Sequence, residues 1–540
     1  MKYSIFVLYL LLVGFGSGAF AQSDSSSLAV ESISFSIPKT IYFGGERIWV
    51  DLAVESDASA SRSQIAYVEL LNRYNESVAI AKIPLNDGKA LNFLRLPNSL
   101  PSDHYLLRVF TRVSAYLDIS GGLKQQFITV FNPEIPPRVE ASRDTFDGSQ
   151  ESSLIVLSSP SGKAAEVFSL QVNAGTDELL EVKVAALNPF LPKHEQLASM
   201  ELYQPLGDRT LVPELFGHVV EGFVDVAELD TTQLYYLSIH GEKSALFTDR
   251  PDSKGGLYFD TGGIRNWRFM IAQALGNQSL VNLTIVSSAP QTKFLPGFTF
   301  PELIITPQDE ALLRSLLLGG QIEGYFSQEY TSESFPVVTG FVQDQTYMLD
   351  DYTRFDKVET VIKEYVPEVS VKTIDKKKEF RVIDLVRGTI FDSNPLMIVD
   401  AMPIFDSDLL AKHNPEGFQK LEILSRSFFL NEEEFPGVLS FSSYNNDFGG
   451  FPIPSNGVYL DYQGLQFEVN ETENLFSFLE EDRLDDWRTI LYWSSSQQGK
   501  PNTALELKLP ELTLTYQVEV RLRSASGENR TERKTFQVTK

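Results

Sequence analysis

His194 and Glu195 open like the zinc-protease pattern His-Glu-x-x-His, but Ala198 stands where the second imidazole belongs. Zinc held on one helix face needs both imidazoles. The five histidines, at 104, 194, 218, 240 and 413, show no ligand-like spacing and read as turn or strand-edge residues. The absence of cysteine removes thiolate metal sites, disulfides and a lipidated amino-terminal Cys together. No Gly-x-Ser-x-Gly elbow, Walker loop or Rossmann glycine fingerprint occurs. The acidic pairs Asp350-Asp351 and Asp485-Asp486 are read as solvated faces, because neighbouring side chains on an extended segment point to opposite sides. Asn445, Asn446 and Asp447 offer calcium-type oxygens, but the terminal Glu of an EF-hand spacing is missing. The expectation is therefore no catalytic, cofactor-binding or metal residues, no cofactor and no enzyme activity. What remains is surface: Phe448 and Phe451 sit in the Gly- and Pro-rich run Tyr444 to Pro454, and with Asn445, Asn446 and Asp447 they are the candidate partner contacts, against the reading that they cap a core.

The chain of 540 residues exceeds what one hydrophobic core holds. Lys2, the apolar run Ile5 to Val13 and the small residues Ala19 and Ala21 before Gln22 form a secretory leader, so an exported chain starting at Gln22 is expected. No later apolar stretch approaches the roughly 20 residues of a spanning helix. With 46 basic and 72 acidic residues, the net charge of −26 repels phosphate backbones and argues against nucleic-acid partners.

Period-two alternation dominates. Ile33 to Ile37, Ile48 to Leu52, Tyr67 to Asn72, Val78 to Ile83, Leu91 to Leu96 and Tyr105 to Thr111 are short strands between Asn, Asp, Gly and Pro turns, the pattern of a β-sandwich. Trp49, between Ile48 and Val50, is expected in that sandwich's core. Asn132 to Pro137 is a proline-rich boundary. Strands resume at Ser153, again at Glu214, and finally from Leu505 to Val538. Helical faces are confined to Thr306–Tyr325, expected to bridge forward, and Phe355–Tyr365; Asn414-Pro415-Glu416 reads as a further helix start. The fold class is thus mainly β and multidomain: serial β-sandwiches with one α/β domain.

Several segments resemble known families. Pro395 to Tyr444 contains PLMIVDAMPIF, then KLEIL, then GVLSF, and resembles the plug domain of TonB-dependent outer-membrane receptors; Ala401 stands where that family has Gly, which bears on the tightness of the turn. KTIYFGGERIWVDLAVES, AYVELLNRYNESVAIAKIPLNDGKA and LPNSLPSDHYLLRVFTR follow the order of a macroglobulin MG2 domain. Without Cys the internal thioester of covalent macroglobulins cannot form. The strand opening at Glu214 with the later Gly-Leu-Tyr-Phe is similar to carboxypeptidase-regulatory-like sandwiches, which are not peptidases. The resulting division is 1–21 leader, 27–133 MG2-like sandwich, 138–212 second macroglobulin-like sandwich and linker, 214–293 regulatory-like sandwich, 298–462 helical bridge and plug-like domain, and 463–540 carboxy-terminal Ig-like sandwich.

This series is similar to the long exported macroglobulin-like proteins of Bacteroidetes-type bacteria. It implies a periplasmic or outer-membrane-associated scaffold, with the cell surface open to it, that docks through its plug-like domain on an outer-membrane β-barrel protein and occludes, gates or steadies it. The alternative is an envelope binding protein whose sandwiches recognise a peptide, glycan or protease.

Overall fold

The computed structural model describes residues 28–56, 62–142, 152–192, 197–225, 227, 229–275, 280–326, 341–431, 433–469, 476, 485–494 and 502–540. The leader, His194 with Glu195, and the acidic run at 480–483 lie outside them. The chain is mainly β, as its alternation predicts.

The first sandwich sets a three-stranded sheet (Glu31–Ser36, Arg47–Ser56, Lys89–Arg95) against a five-stranded one. The five run in the order Ile41–Phe43, Leu123–Phe131, Asp103–Phe110, Ile65–Leu71, Ser77–Pro84. Ile48, Val50 and Leu52 point inward onto Val68, Leu70, Leu107 and Ile128. Trp49 is buried but not in that core. One residue out of phase, it lies on the sheet's other face with Phe93, Ala185, Phe476 and Ile490, and so joins the first sandwich to the second.

The second sandwich corrects the expected division. Val167–Asn173 pairs antiparallel with Asn502–Lys508, and Glu178–Ala186 pairs with both Thr515–Arg523 and Ile490–Ser494. The segments expected as separate sandwiches, at 138–212 and 463–540, therefore build one. The reason is visible in Val167–Asn173, where every second side chain is buried. Such strands need a facing sheet, and neither half supplies enough strands for two. Phe168, Leu170, Val182 and Val184 come from one half, Tyr516, Val518 and Phe536 from the other.

The third sandwich is completed the same way. Val219–Val224, Gly256–Asp260 and Leu283–Val286 form one sheet; Ala245–Asp249, Tyr235–Gly241, Trp267–Ala274 and the distant Val458–Asp461 form the second. Between its two contributions sits the α/β unit, so one insertion is nested inside another. That unit orders its sheet Gln345–Met348, Phe418–Leu424, Val438–Ser443, Leu396–Val399, Met402–Pro403, with the helices Val358–Tyr365 and Ser407–Lys412 packed over it. The helix expected from Asn414 lies earlier: Asp406 caps Ser407–Lys412 through Asp408 N and Leu409 N, and Pro415–Gly417 is a single 3-10 turn.

The helix Glu310–Phe326 belongs to the frame and not to the α/β unit. Leu312, Leu313, Leu316 and Leu317 fill the second sandwich's core. Gly319 and Gly320 let it approach, since a Cβ on Gly320 would strike the Glu46 carboxylate.

Candidate functional site

The α/β unit carries all five predicted contact residues, and one carboxylate organises them. Leu396–Val399 turns back into Met402–Pro403 through Asp400 and Ala401, both at positive φ (46° and 67°). The turn keeps the tight left-handed geometry with Ala in place of Gly, at the cost that a Cβ brings to that region. Asp400 is buried and accepts from Ser443 N at 2.8 Å, Ser443 Oγ at 2.6 Å and Phe448 N at 2.8 Å, which fixes the following loop.

Phe448 and Phe451 are consequently core residues, 8% and 3% exposed. This corrects their reading as exposed anchors. Phe448 packs edge-on to His240 at 4.9 Å, and Phe451 packs against His413 at 5.0 Å. Asn446 is half-buried and bonds across to the third sandwich: its Nδ2 donates to Gly241 O at 2.7 Å, and its Oδ1 accepts from Ser244 Oγ at 2.9 Å. Asn445 and Asp447 remain exposed at the tip. The structure brings all five together in one loop, of which Asn446 and Phe448 clasp the third sandwich while Phe451 packs within its own unit.

Four of the unit's exposed apolar side chains lie at another end. Val386 is 78% and Val342 71% exposed, and Leu385 and Ile390 are also exposed. Leu385 N donates to Ser425 O at 3.0 Å, and the adjacent Arg426 donates to Val342 O at 3.2 Å, so the turn after Asp384 and the strand entry converge on one end of the sheet.

Titratable groups cluster at the junctions between units. Glu214 Oε1 accepts from Tyr67 OH at 2.8 Å and from Val219 N at 2.9 Å, and lies 2.7 Å from His218 Nδ1. His218 Nε2 meets Tyr462 OH at 2.6 Å. Lys82 lies over the Tyr462 ring at 4.0 Å and donates to Gln463 O at 2.5 Å. Burial pushes the His218 imidazole down, only partly offset by its bond to Glu214. It also pushes the Lys82 ammonium down to about 8, against the pull of Glu214. A second knot places Lys39 between Glu46, at 2.6 Å, and Glu323 of the helix Glu310–Phe326. Burial lifts the Glu46 carboxyl to about 7, against the pull of Lys39. A His-Glu-Tyr grouping has the makings of a proton relay, but Glu214 and His218 are fully buried and a relay needs a substrate's atom within reach. These groups tie Tyr67 of the first sandwich to Glu214 and His218 of the third and to the returning segment at Tyr462. Sequence reading missed them because the partners lie far apart along the chain, and only the Glu214/His218 spacing of four was visible.

Asp486, expected on a solvated face, is buried and holds Arg488 through both carboxylate oxygens, at 2.8 and 2.6 Å. Asp350 is exposed and pairs with Arg354 at 2.6 Å. His104, His218 and His240, expected at turns or edges, are buried in or beside strands. Among the described residues no group of three His, Asp or Glu gathers as a metal site, and no helix is long and apolar enough to cross a membrane.

No protein-family model and no curated protein matches the chain. Among solved structures it is similar to the Salmonella alpha-2-macroglobulin reacted with methylamine, at 10% identity and a TM-score of 0.16, covering 94% of this chain and 23% of that one. It is similar also to Escherichia coli alpha-2-macroglobulin activated by porcine elastase, at 7% identity and a TM-score of 0.22, covering 94% of this chain and 44% of that one. The chain thus spans less than half the length of the macroglobulins it matches.

Proposed function

We propose that the chain is a binding scaffold without catalytic chemistry: three interlocked sandwiches form a frame that holds out the α/β unit as a docking element for an outer-membrane β-barrel protein. The observation that carries this reading is the nested insertion. The α/β unit is held to the third sandwich at several points: Asn446 Nδ2 donates to Gly241 O, Asn431 Nδ2 to Thr248 O and Gln273 Nε2 to Pro403 O, and beyond it Val458–Asp461 pairs directly with Trp267–Ala274. A unit held in this way presents a surface at fixed orientation, which lowers the ordering cost of association. The surface in question is the end formed by Val342, Leu385, Val386 and Ile390, since the aromatic loop is used inside the molecule.

The barrel partner rests on the resemblance of PLMIVDAMPIF and its following strands to receptor plugs, and the export it requires rests on the leader. The test is affinity capture from the envelope fraction of the source bacterium with the full chain. Replacing Leu385, Val386 and Ile390 together with Ser leaves the fold intact and removes the captured barrel protein. Capture at full strength by that variant would move the docking surface elsewhere.

A further inference from the structure

The first sandwich is open along one seam. Ser77–Pro84 and Lys89–Arg95 are the outermost strands of its two sheets on the same side, and among the described residues neither has a further strand beside it. Between them lies a cleft of about 390 Å³, with Val78 and Ile80 on one wall, Leu94 and Leu96 on the other, and Gln463 and Gln466 at one end. That volume falls in the range of small-ligand pockets, roughly 300–1,000 Å³.

The next stretch of the same seam is already filled by extended backbone. Gln466 N donates to Lys82 O at 3.0 Å, and Asn92 Nδ2 donates to Phe467 O at 2.9 Å. The chain itself therefore shows what the seam accepts. Because backbone groups alternate in direction along a strand, Ile80, two residues before Lys82, turns its N–H and C=O to the same open side. On the other wall, Leu96 N donates inward to Glu46 O, so the neighbouring Arg95 turns its backbone outward. The Gln466 side-chain Oε1 is buried and accepts no hydrogen bond among the described residues.

The charge at the rim is out of keeping with the chain. Arg47 and Arg95 stand directly opposite each other in the paired strands, an arrangement that like charges disfavour. Neither forms an ion pair among the described residues, although the net charge is −26, and Arg95 lines the cleft. The Arg47 guanidinium rests over Phe93 at 4.9 Å. An incoming carboxylate would relieve that repulsion and take the donors that Arg offers in a fixed fork.

We propose that this cleft binds an extended peptide segment bearing an Asp or Glu, its backbone added to the open edge at Ile80 and its carboxylate received by Arg95 at the rim. The site is independent of the docking end of the α/β unit. It is tested by screening a random-peptide display library against the full-length protein and measuring the enriched peptides by fluorescence anisotropy. The expected result is enrichment of alternating sequences with a central Asp or Glu, whose binding falls about tenfold or more on Arg95→Gln and on changing that acid to its amide. Arg95 is exposed, so Arg95→Gln keeps the wild-type melting temperature, and Arg95→Glu shifts enrichment toward Lys-containing peptides. Absence of any enriched peptide would overturn the proposal, as would peptides that bind Arg95→Gln and Arg95→Glu as tightly as the wild type.

Discussion

Asp400 shows how far one side chain reaches in this molecule. Its carboxylate satisfies three donors, two on Ser443 and one on Phe448, and through them seats the loop that clasps the third sandwich. Asp400→Ala leaves those donors buried and unpaired, for an expected loss of about 2–4 kcal/mol, read as a lowered Tm. Next to it, Ala401→Gly removes the left-handed penalty and is expected to stabilise by roughly 1 kcal/mol. The buried histidines set the response to acid. Burial holds His104 near 4 and His240 near 3, whereas the unfolded chain takes up protons near 6.5. Their folded pKa values lie below the unfolded ones, so the unfolded state binds more protons between those limits. Stability is then full above about pH 6.5 and falls by about 1.4 kcal/mol per pH unit for each histidine below it. Urea titrations from pH 7 to pH 5 check this: His240→Phe flattens the slope, and an unchanged slope would show that His240 is not titrating.

Among the elements, the frame helix Glu310–Phe326 is the clearest case of tertiary packing overruling local preference. Ala is a better helix former than Gly by about 1 kcal/mol. Gly320→Ala is nonetheless expected to lower Tm, because its Cβ meets the Glu46 carboxylate that balances Lys39. Trp49→Ala is expected to cost about 3–5 kcal/mol, and to do so by loosening the first sandwich from the second, since its neighbours include Ala185 and Ile490. Period-two patterning made the strands and their alternation legible, and the run from Leu396 to Phe441 gave the α/β unit. It could not say which face of the strand Trp49 met a second domain, because a strand buried on both faces reads as one apolar run. The fate of Phe448 and Phe451 was equally hidden, for it depends on Asp400 and on His240 of another unit.

For the whole molecule, pairing between residues hundreds of positions apart turns an apparent string of domains into a nested frame. Local patterns carry no record of such pairings. Alternation in Val167–Asn173 says that the strand needs a partner, and nothing in it names Asn502–Lys508. The pairing is open to a clean test because the chain has no cysteine of its own. Gln171→Cys and Ala504→Cys fall opposite each other on the exposed face, where antiparallel Cα atoms lie about 4.5–5.5 Å apart. Mild oxidation is expected to join them into one intramolecular disulfide, seen as raised mobility on a non-reducing gel. Two free thiols under the same conditions would mean that the halves form separate sandwiches.

The role proposed for this frame is to hold the α/β unit's apolar end toward another protein. The most direct measurement is site-specific photo-crosslinking in the source organism, with the reactive side chain placed at Val386 and, as the comparison, at the exposed Val167 of the second sandwich. The proposed docking role predicts a covalent adduct with an outer-membrane β-barrel protein from Val386 and none from Val167. Adducts from Val167 alone, or none from Val386 when the protein is at its native level, would contradict it.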